Sequence, residues 1–548
     1  MASIRSVRAL VLFCLPTLLT ACAAESSGPG SSSDGFVKAG NGKYDASVES
    51  VVLNFEFDGE FVTDYSWDPK REIESQLLYS IGHLNGDRSV GRLDRMILSD
   101  VTTSREGALT RVSYHAMLPV AWGKKNAIPA EYTFKLPRDI RESNITQLVE
   151  KYGVTCTDSH AHDVDSGSFW YYYRPNRAGC ALTETELFTT VASVSVSTIN
   201  TTGKYPEYHK VWEDKALKVV AIFGKYEDGA TTSSDAGISN YNNVVAGLRS
   251  RFENFGLTTI PATVPTSPGI ANPDITFDAT LEDGRTVNIV TLLVDNVREA
   301  GEAFDARYRE LSERADLIIY NGHAGLGSNV RAMARKGSWV KGQYVIVFQN
   351  GCDTYAYIDN ALDDAHAAVN PDDPIGTKYI DTVVNALPSY FNQGRKSTLA
   401  MINGLLDYKA PKTFEQIFLG IDPNQVVLVT GEADNVYVPG YGESEEPPVP
   451  ADWDGLDASA TVALDAMDRY ETPVLEAGSY TFTISGSGDV DLYVRVGAAP
   501  DLESWDCRPY RNGSSESCTV TLGSPTTVHV MVHGYEANST YTLAGDRD

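Results

Sequence analysis

The sequence predicts a multidomain protein with an N-terminal mainly β domain, a central α/β domain on a parallel sheet, and a C-terminal β-sandwich. Three observations predict this class: short β-type segments fill residues 46–212, strand-like and helical segments alternate over 213–438, and two-residue alternation returns over 453–548. Strands that alternate with helices are typical of a parallel sheet covered by helices on both faces. A chain of 548 residues is long enough for about three domains, each with its own core.

The chain is acidic, with 45 Lys and Arg residues against 73 Asp and Glu residues and a formal net charge of −28. Proteins that bind nucleic acid normally concentrate Lys and Arg on one face to meet the phosphates. The composition therefore argues against a nucleic-acid partner. A large negative charge also favours solubility in an exported protein.

The first 21 residues have the pattern of a secretory signal. Arg5 and Arg8 precede the apolar run 9–15, which is too short to span a bilayer. The segment 19–22, Leu-Thr-Ala-Cys, resembles the bacterial lipobox, and this resemblance implies cleavage before Cys22 and lipidation of its thiol. The alternative is a free secretory signal that has a Cys near its end.

Residues 22–45 are rich in Ser and Gly, which is typical of a flexible tether. Ala23 stands where an Asp would favour retention in the inner membrane of a resembling Gram-negative system. The expectation is a lipid-anchored protein of the bacterial cell envelope, located at the outer membrane.

The folded part of the chain contains five cysteines once Cys14 leaves with the signal and Cys22 carries lipid. They form two local pairs that are disulfide candidates in an oxidising envelope, Cys156 with Cys180 and Cys507 with Cys518. Cys352 remains unpaired. An odd thiol in an exported protein is either a buried small hydrophobe or a reactive nucleophile.

The individual elements are predicted from periodicity. In the N-terminal domain, residues 51–57 and 169–173 are predicted strands and 72–81 a predicted helix, with no catalytic constellation. In the central domain the predicted helices are 237–255 and 296–314. The predicted strands of that domain are 217–223, 287–294, 316–320 and 344–349, with 397–402 and 425–430 as extensions of the sheet.

An acidic, proline-rich linker is predicted at 439–452, because residues 443–450 read Glu-Ser-Glu-Glu-Pro-Pro-Val-Pro. Beyond it, residues 479–484 and 490–496 alternate with a period of two. The final segment is therefore a β-sandwich candidate.

Two central strands end in chemically reactive residues. His323 follows the strand 316–320, and Cys352 follows the strand 344–349. Because the carboxyl ends of parallel strands meet at one sheet edge, the two side chains are expected at the same edge. A histidine near a thiol can accept its proton, and backbone N–H groups at such turns can stabilise an oxyanion.

This arrangement resembles the caspase-like cysteine peptidases, a group that includes caspases, legumains, clostripain and gingipains. The resemblance covers roughly residues 217–437 and implies His323 as general base or acid and Cys352 as nucleophile, with the N–H groups of Ala324 and Cys352 as oxyanion donors. The sequence departs from the family pattern at Ala324, where the family has Gly; Gly325 follows one position later.

The C-terminal segment resembles the bacterial pre-peptidase C-terminal domain. The motifs that carry the resemblance lie at 488–495, 497–500, 506–510 and 516–518. Such domains are appended to secreted bacterial peptidases. Asp489 and Asp491 are weak calcium candidates, since Ca²⁺ prefers oxygen ligands, and ordinary turn and strand-face carboxylates are the alternative.

Together these features predict a lipid-anchored envelope lipoprotein that carries a cysteine-type endopeptidase, a hydrolase cleaving peptide or protein substrates with a Cys352–His323 dyad. No cofactor is required in this hypothesis, and Ca²⁺ has at most a structural role. The rival hypothesis is a surface protein- or carbohydrate-binding lipoprotein with a catalytically inactive caspase-like scaffold.

Overall fold

A computed structural model describes residues 43–65, 67–432, 434–441, 453–523 and 525–548. The predicted signal, the lipidation residue Cys22, the tether up to residue 42 and most of the acidic linker lie outside the described residues. The described chain is multidomain and mostly β, with four sheets. None of the described helices is long and apolar enough to cross a membrane.

The N-terminal region forms a six-stranded sheet in the order β3-β5-β2-β7-β6, with β4 paired to β5. The preceding strand β1 joins the central sheet instead. The strands are β1 (Lys43–Ser47), β2 (Val51–Thr63), β3 (Ser89–Gly91), β4 (Ile97–Glu106), β5 (Leu109–Trp122), β6 (Glu131–Pro137) and β7 (Leu187–Val196). The helices are α1 (Pro69–Asn85), α2 (Glu142–Tyr152) and α3 (Phe169–Tyr172).

Local chemistry explains the two helices of this region that concern the site. Helix α1 extends the predicted 72–81 segment, since Pro69 occupies its first turn and the Asp68 carboxylate accepts the Arg71 N–H at 3.2 Å. The prediction of a strand at 169–173 is wrong. The Asp165 carboxylate accepts the Gly167 and Ser168 N–H groups, and this turn leads into the short helix α3. An unbroken aromatic run has no period that separates a strand from a helix.

The central sheet has nine strands in the order β1-β15-β14-β13-β12-β8-β11-β10-β9. Its further strands are β8 (Ala216–Gly224), β9 (Thr258–Ile260), β10 (Asp274–Thr280), β11 (Thr286–Val294), β12 (Leu317–Asn321), β13 (Val345–Asn350), β14 (Ile380–Asn385) and β15 (Val427–Glu432). The helices are α4 (Tyr208–Val211), α5 (Ala236–Phe252), α6 (Glu302–Ser312), α7 (Ser328–Lys336), α8 (Thr354–Tyr357), α9 (Ala361–Val369), α10 (Gly394–Leu406) and α11 (Phe414–Phe418).

The five middle strands β11, β8, β12, β13 and β14 are parallel to one another. Helices α5 and α10 pack in a core on one face of the sheet, and α6 and α7 pack in a core on the other. The carboxyl ends of β12 and β13 therefore lie side by side, as their parallel pairing requires.

The sheet extension predicted at 397–402 is wrong, because this segment lies within helix α10. Its buried residues are Ser397, Thr398, Met401, Ile402 and Leu405, a set with helical spacing that faces the sheet. The helix predicted from residue 296 begins later, at Glu302.

The C-terminal region is a sandwich of a four-stranded sheet, β16-β22-β18-β20, and a three-stranded sheet, β17-β21-β19. Its strands are β16 (Leu456–Val462), β17 (Met467–Glu471), β18 (Gly478–Ser487), β19 (Val490–Val496), β20 (Glu516–Leu522), β21 (Val528–Gly534) and β22 (Ser539–Arg547). The two inner faces share one apolar core. The β-sandwich prediction is confirmed, and both predicted disulfides are present in the structure.

Candidate functional site

Three neighbouring parallel strands each end in a buried asparagine. Asn321, Asn350 and Asn385 are the last residues of β12, β13 and β14 and are at most 2% exposed. The Asn350 amide donates to Asn321 Oδ1 at 2.8 Å, and the Asn385 amide donates to Asn350 Oδ1 at 3.2 Å. Asn321 in turn donates to Thr398 of α10 at 3.0 Å. This asparagine ladder fixes the strand ends relative to one another.

His323 lies two residues beyond β12, where two donors hold its backbone carbonyl. The Tyr320 hydroxyl donates to this oxygen at 2.8 Å and the Asn329 amide at 2.9 Å. The imidazole ring lies against the rings of Tyr226 and Phe391, with centroid distances of 5.2 and 5.1 Å. Its Nε2 lies 3.1 Å from the Tyr226 carbonyl, which can only accept, so Nε2 carries the proton and the neutral ring keeps Nδ1 as an acceptor.

Cys352 lies two residues beyond β13, and its thiol donates to the Ser389 carbonyl at 3.5 Å. Burial and the neighbouring Asp353 raise the pKa of the Cys352 thiol to about 11. The thiol is therefore protonated at neutral pH. No hydrogen bond or ion pair within the described part of the chain joins it to the His323 ring.

The backbone beside these residues leaves two donors unused. Among the hydrogen bonds of the described residues, none uses the N–H of Ala324 or the N–H of Cys352. The two turns approach closely, since a Cβ on Gly351 would lie 2.9 Å from the Gly322 carbonyl and 3.3 Å from the Ala324 nitrogen. Both N–H groups thus belong to adjacent strand ends, and their role as oxyanion donors stays a prediction.

Residues of the N-terminal region complete this edge of the central sheet. The Asn85 amide of α1 donates to Asp353 Oδ1 at 3.0 Å. The Tyr171 side chain of α3 interacts with both Cys352 and Asp353. Burial raises the pKa of Asp353 to about 6, and these two partners oppose the rise. Sequence reasoning found no role for the N-terminal region here, because these contacts join residues that are far apart in the chain.

The weak calcium candidates Asp489 and Asp491 each have a protein partner in the structure. Asp489 Oδ1 accepts the Gly513 N–H at 2.8 Å, and Asp491 forms an ion pair with Arg508 at 2.9 Å. The Arg508 guanidinium also lies over the rings of Tyr493 and Tyr510. Both carboxylates are therefore occupied by protein donors.

The described residues offer no group of three or more His, Cys, Asp or Glu side chains arranged to hold a metal ion. Zinc sites in proteins take at least three such ligands. The side chains present in the described ranges therefore do not fit a zinc centre.

The structure defines a mostly β, multidomain protein with a polar strand-end site and a small C-terminal sandwich. Residues 468–534 of that sandwich match the family described as "Bacterial pre-peptidase C-terminal domain", so this part of the chain is such a domain, as the sequence predicted.

The relatives of this domain are proteases. The chain is 48% identical over 80 residues to a "Zinc metalloprotease" of Helicobacter pylori. The match covers 14% of this chain and 31% of that protein. It is also 48% identical over 80 residues to a "Hemagglutinin/proteinase" of Vibrio cholerae. This match covers 14% of this chain and 13% of that protein. A solved structure titled "Solution structure of vEP C-ter 100" is 41% identical, with 16% of this chain and 88% of that chain covered and a TM-score of 0.15. The chain spans less than a third of the length of both curated relatives.

The prediction of a cysteine-type endopeptidase with a Cys352–His323 dyad is wrong. Two of the matching proteins are named metalloproteases, one a hemagglutinin/proteinase and one a serine exoprotease, and the matches lie in the C-terminal domain. The chemistry of the site agrees, since a thiol with a pKa of about 11 is not a nucleophile at neutral pH. The rival hypothesis of an inactive binding scaffold stays a prediction, because these matches lie in the C-terminal domain. The zinc in the first relative's name also conflicts with the expectation that no cofactor is required.

Proposed function

We propose that the protein is an exported peptidase-type hydrolase that takes peptide or protein substrates at the carboxyl edge of its central sheet. The observation that carries the proposal is the asparagine ladder, which holds His323 and two unused backbone donors at adjacent strand ends. The C-terminal domain, whose relatives are proteases, supports the substrate class.

In this proposal each group at the edge has a defined part in the chemistry. The N–H groups of Ala324 and Cys352 donate to the carbonyl oxygen of the bound peptide, and each such donor contributes about 3 kcal/mol to lowering the barrier. His323 Nδ1 accepts a proton from a water molecule as the water oxygen bonds to the carbonyl carbon, and returns that proton to the amide nitrogen as the C–N bond breaks. The Tyr226 carbonyl holds the ring in one tautomer throughout. Cys352 lines the edge as a neutral thiol.

The experiment incubates the purified mature chain with a pool of unmodified peptides and identifies the products by mass spectrometry. We expect cleavage at defined peptide bonds. A parallel sample with a zinc chelator distinguishes zinc-dependent from zinc-independent hydrolysis. An intact pool, together with intact protein substrates, would contradict the proposal.

We propose further that the protein reaches the bacterial envelope as a lipoprotein anchored at the outer membrane through Cys22. Cys22→Ser should abolish incorporation of labelled fatty acid and move the protein from the membrane fraction to the soluble fraction, since a lipid anchor supplies the membrane affinity. Cys352→Ser is the matched control and should leave fractionation unchanged. Membrane association that survives Cys22→Ser would contradict the anchor.

A further inference from the structure

An open groove of about 660 Å³ lies between α10 and α11 on the outer side of the central domain. Its floor is apolar and includes Leu399, Ala400 and Ile417. Its rim carries cationic and amide side chains. These are Asn392, Arg395, Lys396, Asn403, Lys412 and Gln416.

The charge of this groove is opposite to that of the chain. Its lining contains three cations and no carboxylate, in a protein of net charge −28. Arg395 and Lys396 are exposed, and neither forms an ion pair with any described residue. Lys412 is paired with Asp407 at 2.6 Å. Two cations without an ion-pair partner line the same groove, so a bound anion is favourable there.

Neighbouring elements strengthen the positive potential. Arg251 of α5 donates to Asn403 Oδ1 at 2.9 Å and so places a fourth cation at the rim. The groove also begins at the first turn of α10, where the helix dipole is positive. Glu415 on α11 does not line the groove, and its Oε1 accepts the Gly203 N–H at 2.9 Å.

The groove adjoins the candidate site. Phe391, three residues before α10, contacts the His323 ring at 5.1 Å, and Thr398 of α10 accepts from Asn321 of the asparagine ladder. A peptide substrate that extends away from the strand ends beside His323 therefore meets the first turn of α10. An apolar floor with amide side chains along its rim suits the backbone and side chains of an extended peptide.

We propose that the groove between α10 and α11 binds an acidic segment of a peptide or protein substrate. The peptide class rests on the proposed function, and the acidic character follows from the unpaired Arg395 and Lys396. Carboxylates of the segment pair with these two side chains, while its apolar atoms cover Leu399 and Ile417.

The test measures fluorescence anisotropy of a labelled twelve-residue peptide rich in Glu and Asp. A neutral control peptide has Gln in place of each Glu and Asn in place of each Asp. We expect the acidic peptide to bind with an affinity that falls as salt rises, and Arg395→Glu with Lys396→Glu to weaken it at least about tenfold. Acidic residues in the first turn of a helix are favourable, so this double variant should fold; its circular dichroism and unfolding midpoint check this.

The matched control is Arg335→Glu with Lys341→Glu, an equal charge change at exposed positions outside the groove lining. It should change affinity by less than about twofold, because exposed charges more than a Debye length away are screened. The proposal is overturned if the control weakens binding equally or if the neutral peptide binds as tightly.

Other occupants of the groove give different results, and each would overturn the proposal. Tighter binding of a sulfated polysaccharide would assign the groove to polysaccharide. A dimer that disappears in the double variant would assign it to a second copy of the chain. Tighter peptide binding after Glu443, Glu445 and Glu446 are changed to Gln would assign it to the chain's own acidic segment. The assay contains no hydrolysis step, so peptide binding without cleavage would overturn the proposed function alone.

Discussion

Glu432→Gln is expected to raise the thermal unfolding midpoint by about 5–10 °C at pH 8.5 and to change it little at pH 5. Glu432 ends β15 and is 1% exposed. Burial together with the nearby Asp381 and Glu207 carboxylates raises the pKa of Glu432 well above its ordinary value. Ionising a buried carboxyl group beside two other carboxylates is costly, and Gln removes that cost.

The same cluster predicts that the wild-type protein loses stability as pH rises. Burial and the Asp381 carboxylate raise the pKa of Glu207 to about 7, and burial also raises the pKa of Asp381. The Tyr344 hydroxyl donates to Asp381 Oδ2 at 2.5 Å, and the Lys204 ammonium contacts the Glu432 carbonyl oxygen. Because these folded-state pKa values exceed the unfolded values of about 4, stability is full below pH 4 and falls as pH rises through about 7.

Calorimetry of the wild-type protein, of Glu432→Gln and of a control variant at several pH values measures the expected change in unfolding midpoint. The control is Glu282→Gln, which removes an exposed carboxylate from the same domain and should leave the midpoint within about 1 °C. A wild-type midpoint that stays constant from pH 5 to pH 8.5 would contradict the buried-carboxylate account.

Gly351→Ala is expected to lower kcat/KM on any cleaved peptide about 100-fold. The added Cβ would lie 2.9 Å from the Gly322 carbonyl and 3.3 Å from the Ala324 nitrogen, so the two strand ends must separate. Such a shift displaces the N–H groups proposed to hold the substrate carbonyl. The variant should also lose about 1–3 kcal/mol of unfolding free energy, as crowded substitutions do.

Steady-state kinetics on one cleaved peptide provides the measurement. Gly301→Ala is the control, because a Cβ at that position meets no atom within 4 Å. It should retain wild-type kcat/KM. If Gly351→Ala retained it as well, the close approach of the two turns would have no part in the reaction.

The strands could be predicted from sequence where burial imposes a simple pattern. The predicted segment 490–496 coincides with β19, and the apolar segment before His323 coincides with β12 apart from one residue at each end. Segment 397–402 was misassigned because a short apolar run does not show whether its period is that of a helix or a strand. Residues 169–173 were misassigned for the same reason.

The site could be predicted only in part. The strand-end positions of His323 and Cys352 follow from buried runs that end in Gly-containing turns. The asparagine ladder was missed, although its signal is visible: each of three successive strands ends in Asn followed by a small residue. Asparagine is also an ordinary turn residue, so only the register of the parallel strands distinguishes a ladder from three separate turns. The thiol's high pKa depends on its burial in the folded chain, which the sequence does not reveal.

The most direct test of the proposed site is the hydrolysis rate of His323→Ala. A proton-transfer group typically contributes 10²–10⁴-fold, so we predict that kcat/KM on a cleaved peptide falls at least about 100-fold. The control is His160→Ala, since the His160 side chain is 87% exposed in a surface turn and should be neutral to replace. A His323→Ala protein that is correctly folded and retains the wild-type rate would contradict the assignment of the active edge.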